Sequence, residues 1–326
     1  MKFKPAVLAA ALAFGAGTFA SVAQAQTKWD LPTGYPLNNP HTVTLQLLAK
    51  DVERATAGKL MITVHPNGSL FKAPEIKRAV QSGQAQLGEV LMSLLENENA
   101  VYGVDSIPFL ATGFDAAYKL WRAQRPVAEK ILARQGLKLV YAVAWPPQGI
   151  YAKKTLASTV DMKGLKWRAY NKGTSRIAEL VGANPVTVQA ADLAQSLATG
   201  VVDSMMTSGA TGVDSKVWES LNRFYNVEAW LPKNMLIINQ KAFDALGKDD
   251  QAAVLRLAGE AELKGWERMR AYTSESLEVL KRNKMIVESP NPKFKGELAK
   301  IGDTLLKEWL ERAGDDGKAI VAAMKK

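Results

Sequence analysis

Cysteine is absent from the 326-residue chain, and histidine occurs only twice, at His41 and His65. Without cysteine there is no thiol catalysis and no cysteine-based metal site, and stability must come from the packed core alone. The two histidines are far apart in sequence and lack the spacing of a zinc site such as H-E-x-x-H. We therefore expect neither a metal ion nor a cofactor.

The common catalytic and nucleotide-binding motifs are also missing. The sequence contains no G-x-G-x-x-G, no Walker A loop and no G-x-S-x-G nucleophile elbow. Its acidic clusters, at residues 96–98 and 249–250, are typical of solvated loops and helix ends. No acid, base and nucleophile set can be assembled, so we expect a protein that is not an enzyme.

Long apolar runs are lacking beyond the first residues. Lys2 and Lys4 precede an Ala-rich apolar segment that ends in Ala23-Gln24-Ala25, the pattern of a secretory signal peptide at residues 1–25. We expect cleavage after Ala25 and a periplasmic, exported protein. The formal charge is +10, but the basic residues are dispersed, with no run of four. This dispersal argues against a nucleic-acid partner.

Strand and helix patterns alternate along most of the chain, which predicts an α/β fold with mostly parallel sheets. Asn39 and Pro40 are expected to start the first helix. A short helix is predicted at residues 214–221, and two helices at 294–307 and 309–324. Residues 248–283 predict one helix about 50 Å long, which is long enough to pack along two lobes.

A turn at residues 161–164 leads into an alternating strand at 165–170, near the middle of the chain. Because successive side chains of a strand face opposite sides, Arg168 shares one face with Lys166 and Tyr170. A guanidinium group presents a planar fork that matches a carboxylate. Taken alone, an arginine on a strand is usually a surface residue or an ion-pair partner.

Several short motifs, in this order and spacing, resemble the extracytoplasmic solute-binding protein of a tripartite ATP-independent periplasmic (TRAP) transporter, in the DctP-like family. No single motif is strong, but together they extend over nearly the whole mature chain. They are Tyr35 to Pro40, Gly58-Lys59-Leu60, Asn67-Gly68-Ser69-Leu70, Gly83 to Gly88, Ile107-Pro108-Phe109-Leu110, Asp161 to Arg168 and Gly200-Val201-Val202-Asp203, followed by the long late helix.

The resemblance implies a two-lobed periplasmic binding protein, type II-like, with an interlobe ligand cleft and the long helix spanning both lobes. The expected first lobe comprises residues 26–148 and 236–274, and the second comprises 149–235 and 275–326. Arg168 matches the carboxylate-clamping arginine of the family, and the lobes would close on the ligand by a hinge motion. The implied partners are a small organic acid and the TRAP membrane subunits, with the receptor itself a monomer.

The sequence departs from many sugar-acid and dicarboxylate binders at two positions. Gln148 lies where those proteins carry a second arginine, and Thr207 lies where many carry an asparagine. With one cationic anchor, we expect a monocarboxylate with an apolar or aromatic body. The remaining expected ligand-binding residues are Trp145, Tyr170, Trp230 and Met235 as apolar walls, with Tyr35 and Glu89.

Other interpretations stay open from the sequence. The ligand could instead be a C4-dicarboxylate or a sugar acid. A periplasmic α/β enzyme would require a buried acid with a perturbed pKa beside Arg168. A protein that binds polyanions through its net positive charge would require one continuous basic face.

Overall fold

A computed structural model describes residues 26–324 of the chain. The expected signal peptide, residues 1–25, lies outside these described residues. Within residues 26–324, no helix has both the length and the apolar character needed to cross a membrane.

The helices and strands alternate through the first three quarters of the described chain, and two long helices follow. The strands are β1 Thr27–Pro32, β2 Leu60–His65, β3 Leu87–Leu91, β4 Leu137–Ala144, β5 Gln148–Ala152, β6 Lys166–Ala169, β7 Asn184–Thr187, β8 Ser204–Ser208, β9 Arg223–Tyr225, β10 Lys233–Asn239 and β11 Ile286–Glu288. The helices are α1 Pro40–Ala55, α2 Ile76–Gln81, α3 Phe114–Ala133, α4 Lys172–Leu180, α5 Leu193–Ala198, α6 Gly209–Asp214, α7 Gln240–Asp244, α8 Lys248–Arg282 and α9 Pro292–Met324. As expected, Asn39 caps α1, its side chain accepting from the His41 amide.

Three sheets are divided between two lobes. The first lobe contains the antiparallel sheet β3-β10-β4 and the parallel pair β1-β2, and the second contains the six-stranded sheet β11-β9-β5-β8-β6-β7. The expectation of mostly parallel sheets was wrong, because β10 is antiparallel to both neighbours and β5 is antiparallel to β8 and β9. Most strands end at the cleft, whereas β5 and β10 begin there as the chain crosses between lobes.

The prediction of one long helix is confirmed. In its first half the Glu262 carboxylate accepts hydrogen bonds from Trp121 Nε1 at 2.6 Å and Arg125 Nη1 at 3.0 Å, which fixes α8 to the first lobe. In its second half Ser276 packs so tightly against Gly209 of the second lobe that a Cβ there would lie 2.5 Å from the Ser276 hydroxyl. The helix therefore spans both lobes.

The last helix departs from its expected boundaries. It continues through residue 308 and breaks instead at Gly314, whose φ of 58° leaves the helical region. It contacts both lobes, since Phe294 lies against Tyr225 and the Trp309 indole donates to Ala100 O at 2.6 Å. The assignment of residues 275–326 to the second lobe is thus too simple.

Two further expectations differ from the structure. The helix expected at residues 214–221 was wrong: α6 ends at Asp214, because Lys216 takes a left-handed conformation with φ 45°. The expected lobe boundary at residue 236 also divides β10, whereas all of this strand from Lys233 onward pairs within the first lobe's sheet. Sheet membership favours a crossing point just before Lys233.

A buried interlobe cavity around Arg168

Three parallel strands of the second lobe end at the same edge of the sheet. β6 lies between β7 and β8 and is parallel to both. Arg168 and Tyr170 lie at the end of β6, Gln189 follows β7, and Thr207 lies near the end of β8. The carboxyl ends of parallel strands face the crevice where open α/β sheets bind ligands.

The two chain crossings supply the opposite wall. Trp145 N donates to Pro232 O at 2.7 Å, and Gln148 N donates to Trp230 O at 2.9 Å. The crossings are thereby paired side by side at the start of β5 and β10. This pairing holds the side chains of Trp145 and Gln148 on a rigid backbone beneath the cleft.

Six of the nine expected site residues line one cavity between the lobes. The empty space between its lining atoms is about 370 Å³, part of which opens to solvent, so it suits a compact ligand. Its lining consists of Tyr35, Leu91, Trp145, Gln148, Arg168, Tyr170, Gln189, Ala190, Thr207, Thr211 and Pro232. Only one of these residues is charged, and none is acidic.

The other three expected residues do not line the cavity. Met235 is fully buried in β10 between β3 and β4, and Trp230 is 1% exposed with its backbone carbonyl bound to Gln148. Glu89 is 2% exposed and accepts a hydrogen bond from Thr33 Oγ1 at 2.5 Å. Burial raises the pKa of Glu89 to about 7. Any contact of these three residues with a ligand stays a prediction.

Arg168 is 3% exposed, yet its charge is only partly engaged by protein. Its Nε donates to Val188 O at 2.8 Å, and the guanidinium lies 4.9 Å from the centre of the Tyr170 ring. Among residues 26–324 no carboxylate pairs with it, and burial lowers its pKa to about 10. A buried cation without a counter-ion is costly, so the site is prepared for an anion.

Some of the remaining polar side chains of the wall are hydrogen-bonded within the protein, and others are free to bind a ligand. Tyr170 OH donates to Gln148 Oε1 at 3.1 Å, and Gln148 Nε2 donates to Pro146 O at 3.0 Å. The side chains of Gln189 and Thr207 make no hydrogen bond to other described residues. They are available, together with the two Nη groups of Arg168, to a bound molecule.

A cluster of three aromatic side chains, Tyr35, His41 and Trp145, lies on the side of the cavity that faces the first lobe. The Tyr35 and Trp145 rings lie 4.7 Å apart with an interplanar angle of 59°, and His41 packs behind Trp145 at 4.4 Å. Burial lowers the pKa of His41 to about 3, so the imidazole is neutral. This side of the cavity is therefore an uncharged wall of tilted aromatic rings, against which a small ring can pack.

Hydrogen bonds join the lobes on both sides of the cavity. Asn171 Nδ2 donates to Ser93 Oγ at 2.8 Å and to Ser106 Oγ at 3.3 Å. On the other side, Asn39 Nδ2 donates to Asp214 Oδ2 at 2.6 Å. Burial raises the pKa of Asp214 to about 6. These contacts cross the cleft between the two lobes.

The sequence did not reveal five lining residues, namely Leu91, Gln189, Ala190, Thr211 and Pro232. The rule that parallel strands end at one edge would have found Gln189, which lies two residues after the end of β7. Thr211 is in the first turn of α6, and its helix was placed too late in the chain. Within residues 26–324, no cluster of three or more metal-ligating side chains is present.

Known proteins that resemble this chain in sequence and in structure are solute-binding receptors. A family profile described as "Bacterial extracellular solute-binding protein, family 7" (DctP) matches residues 33–312. The crystal structure of DctP6, a Bordetella pertussis extracytoplasmic solute receptor binding pyroglutamic acid, is 52% identical and superposes with a TM-score of 0.91. The superposition covers 92% of this chain and 99% of that one.

Two further receptors are similar over the same span. DctP7 of Bordetella pertussis, also described as binding pyroglutamic acid, is 44% identical, with 92% of this chain and 100% of that chain covered at a TM-score of 0.91. A TRAP solute-binding protein from an unidentified marine microbe, described as specific for pyroglutamate, is 43% identical, with 92% and 99% covered at 0.91.

Proposed function

Because this chain belongs to bacterial extracellular solute-binding protein family 7, the DctP-like receptors of TRAP transporters, we propose that it binds pyroglutamate. Members of the family are solute-binding receptors and not enzymes. They bind small organic acids in the periplasm and work with a membrane permease. The proposal narrows the sequence-based expectation of a monocarboxylate to one compound.

The observation that carries the proposal is the single unpaired cation in a small cavity. Pyroglutamate has one carboxylate, no ammonium group and a flat five-membered lactam ring. Arg168 offers its two Nη groups to the carboxylate as a bidentate fork. A second carboxylate would have no cationic partner on this wall, which disfavours C4-dicarboxylates.

The uncharged part of the wall suits the lactam. The ring would lie against Tyr35 and Trp145, whose faces are apolar and held at a fixed angle. The adjacent N–H and C=O of the lactam require one acceptor and one donor, and the side-chain amide of Gln189 provides both. No acidic residue lines the cavity, so the ammonium group of an amino acid such as glutamate would be unpaired.

Isothermal titration of the purified receptor tests this proposal. We expect pyroglutamate to bind in the micromolar range or tighter, while succinate, gluconate, glutamate and phenylacetate bind at least about a hundredfold more weakly. Mass spectrometry of the small molecules that co-purify with the receptor provides an independent check. Tighter binding of succinate or gluconate than of pyroglutamate would overturn the assignment.

The proposal also covers where the receptor acts and with which partners. We propose that the receptor acts as a monomer in the periplasm after removal of residues 1–25, and that it delivers its ligand to TRAP membrane subunits. Export is testable by fractionation of cells that express the full-length chain. N-terminal sequencing of the exported protein is then expected to begin at Gln26.

A further inference from the structure

Asn234 holds two of the three aromatic side chains of the cavity wall, Tyr35 and Trp145, although it does not itself line the cavity. It lies on β10 and is 1% exposed. Its Oδ1 accepts hydrogen bonds from Trp145 Nε1 at 2.9 Å and from Tyr35 OH at 3.4 Å. One amide oxygen therefore ties together two rings that approach the cavity from different parts of the chain.

The orientation of this amide is fixed by its neighbours. An indole N–H can only donate, so the oxygen of Asn234 must face Trp145. The amide nitrogen is then on the side of Glu89, whose pKa is raised by burial and lowered in turn by Thr33 and Asn234. Asn234 Nδ2 is buried and makes no hydrogen bond to other described residues.

The backbone of Asn234 is equally well fixed. It pairs with Leu91 of β3 and Val143 of β4, so it lies in the middle of the first-lobe sheet. The preceding residue, Lys233, donates from its backbone N to Asp105 Oδ2 at 2.8 Å, and its buried ammonium group lies 3.0 Å from the same carboxylate. The backbone of Asn234 is thus held rigidly at the point where the chain crosses between the lobes.

We propose that Asn234 is a positioning residue for ligand recognition, which sets the angle between the Tyr35 and Trp145 rings. The proposal rests on the proposed function, since the rings are taken to hold the lactam of pyroglutamate. Without the amide oxygen, the indole N–H is left unsatisfied and rotates toward another acceptor. The wall then no longer matches a flat ring, even though Arg168 still binds the carboxylate.

The primary test is titration of pyroglutamate into Asn234→Leu, which keeps the size of the side chain and removes the acceptor. We expect a loss of affinity of about tenfold or more, together with a melting temperature lowered by a few degrees because the buried indole N–H is left unsatisfied. In a double-mutant cycle with Trp145→Phe, the two losses should not add, because both remove the same hydrogen bond. Affinity within about twofold of the wild type, or additive losses, would overturn the proposal.

A conservative variant separates positioning from general packing. Asn234→Asp keeps an acceptor for both rings and should restore most of the affinity in acid, where at least one of the two neighbouring carboxyl groups is protonated. At higher pH both carboxylates would be ionised, and we expect affinity to fall more steeply with pH than in the wild type. This variant also provides the test if Asn234→Leu does not fold. Equal pH profiles for Asn234→Asp and the wild type would count against a position beside Glu89.

An NMR measurement distinguishes failure of this proposal from failure of the proposed ligand. The Trp145 indole N–H signal, assigned through Trp145→Phe, should exchange slowly with solvent in the ligand-free wild type and in Asn234→Asp. It should shift and exchange faster in Asn234→Leu. If the wild type does not bind pyroglutamate, the ligand assignment fails, and an unchanged indole signal in Asn234→Leu would separately overturn the role of Asn234.

Discussion

The guanidinium of Arg168 lies 4.9 Å from the centre of the Tyr170 ring, with Tyr170 on the same face of the strand end. The phenol ring keeps the cation in place without neutralising it, so the charge stays available to a ligand. Tyr170 OH is in turn fixed by Gln148 Oε1. We propose that this arrangement orients the fork of Arg168 before the carboxylate of the ligand binds.

Replacing Tyr170 tests this orientation. Tyr170→Leu removes the ring and should weaken pyroglutamate binding about tenfold, because a desolvated cation–π contact contributes up to about 2 kcal/mol. Tyr170→Phe keeps the ring and loses only the hydrogen bond to Gln148, so its loss should be smaller. Titration calorimetry on both variants compares them directly. A larger loss in Tyr170→Phe than in Tyr170→Leu would show that the hydroxyl, and not the ring, is important.

Asn171 of the second lobe donates hydrogen bonds to Ser93 and Ser106 of the first, and we expect these bonds to stabilise a closed form. Changing both serines to alanine removes this contact but keeps Asn171 as the cap of α4. We expect a several-fold faster ligand release, a nearly unchanged association rate and a shift toward the open form. Stopped-flow kinetics and X-ray scattering with ligand measure these effects. Ser274→Ala, at an exposed site on α8, is the control, and an identical release rate in both variants would contradict the role of these bonds.

The buried Glu89 makes stability dependent on pH. Its pKa of about 7 in the folded protein exceeds the ordinary value of 4.5. The folded state therefore holds a proton that the unfolded state releases, and this group lowers the free energy of unfolding as pH rises from about 4.5 to 7. At full effect the loss is on the order of 3 kcal/mol.

Glu89→Gln removes this titration and keeps an acceptor for Thr33. We expect the variant to be more stable than the wild type above neutral pH and similar to it in acid. Urea unfolding across this pH range provides the measurement. Parallel stability curves for the two proteins would mean that Glu89 does not titrate where its burial implies.

Gly149 fixes the spacing of the sheet beneath the cavity. A Cβ there would lie 2.4 Å from both Phe224 Cζ and Tyr225 O, and the backbone oxygen of Tyr225 cannot move aside cheaply. Gly149→Ala should therefore lower the free energy of unfolding by about 1–3 kcal/mol and displace the neighbouring Gln148. Chemical denaturation tests the first effect, and ligand titration tests the second.

The matched control is Gly259→Ala, in the middle of α8. An added Cβ meets nothing within 4 Å there, so the change should stabilise the helix by about 0.5–1 kcal/mol. Opposite signs for the two glycine variants are the expected outcome. A stabilising effect at both positions would show that β5 and β9 tolerate a wider separation.

The sequence was informative where one short segment determines its own structure. Asn39 and Pro40 predicted the start of α1, and the long periodic segment after Lys248 predicted α8. Alternation placed Arg168 and Tyr170 on one face, and both lie at the cavity. The resemblance to TRAP receptors predicted the two-lobed fold, which the structural comparison confirms.

Features that depend on distant segments were not accessible in this way. The three-residue strands β9 and β11 are too short for a periodic pattern and form only because each finds a partner. The direction of β10 follows from the crossing between lobes, which no local pattern encodes. Asn234 is a polar residue in an apolar strand, and its partners Tyr35 and Trp145 lie far away in sequence. Its role emerges only from the folded structure.

The most direct test of the account is titration calorimetry of pyroglutamate into the wild type, Arg168→Ala and Arg168→Lys. Removing one partner of a buried charge pair costs about 2–5 kcal/mol, and a lysine cannot replace the bidentate fork. Arg176→Lys, at a surface ion pair, is the matched control. We expect tight binding to the wild type and the control, and a loss of at least about thirtyfold in both Arg168 variants. Undiminished affinity in Arg168→Ala would contradict it.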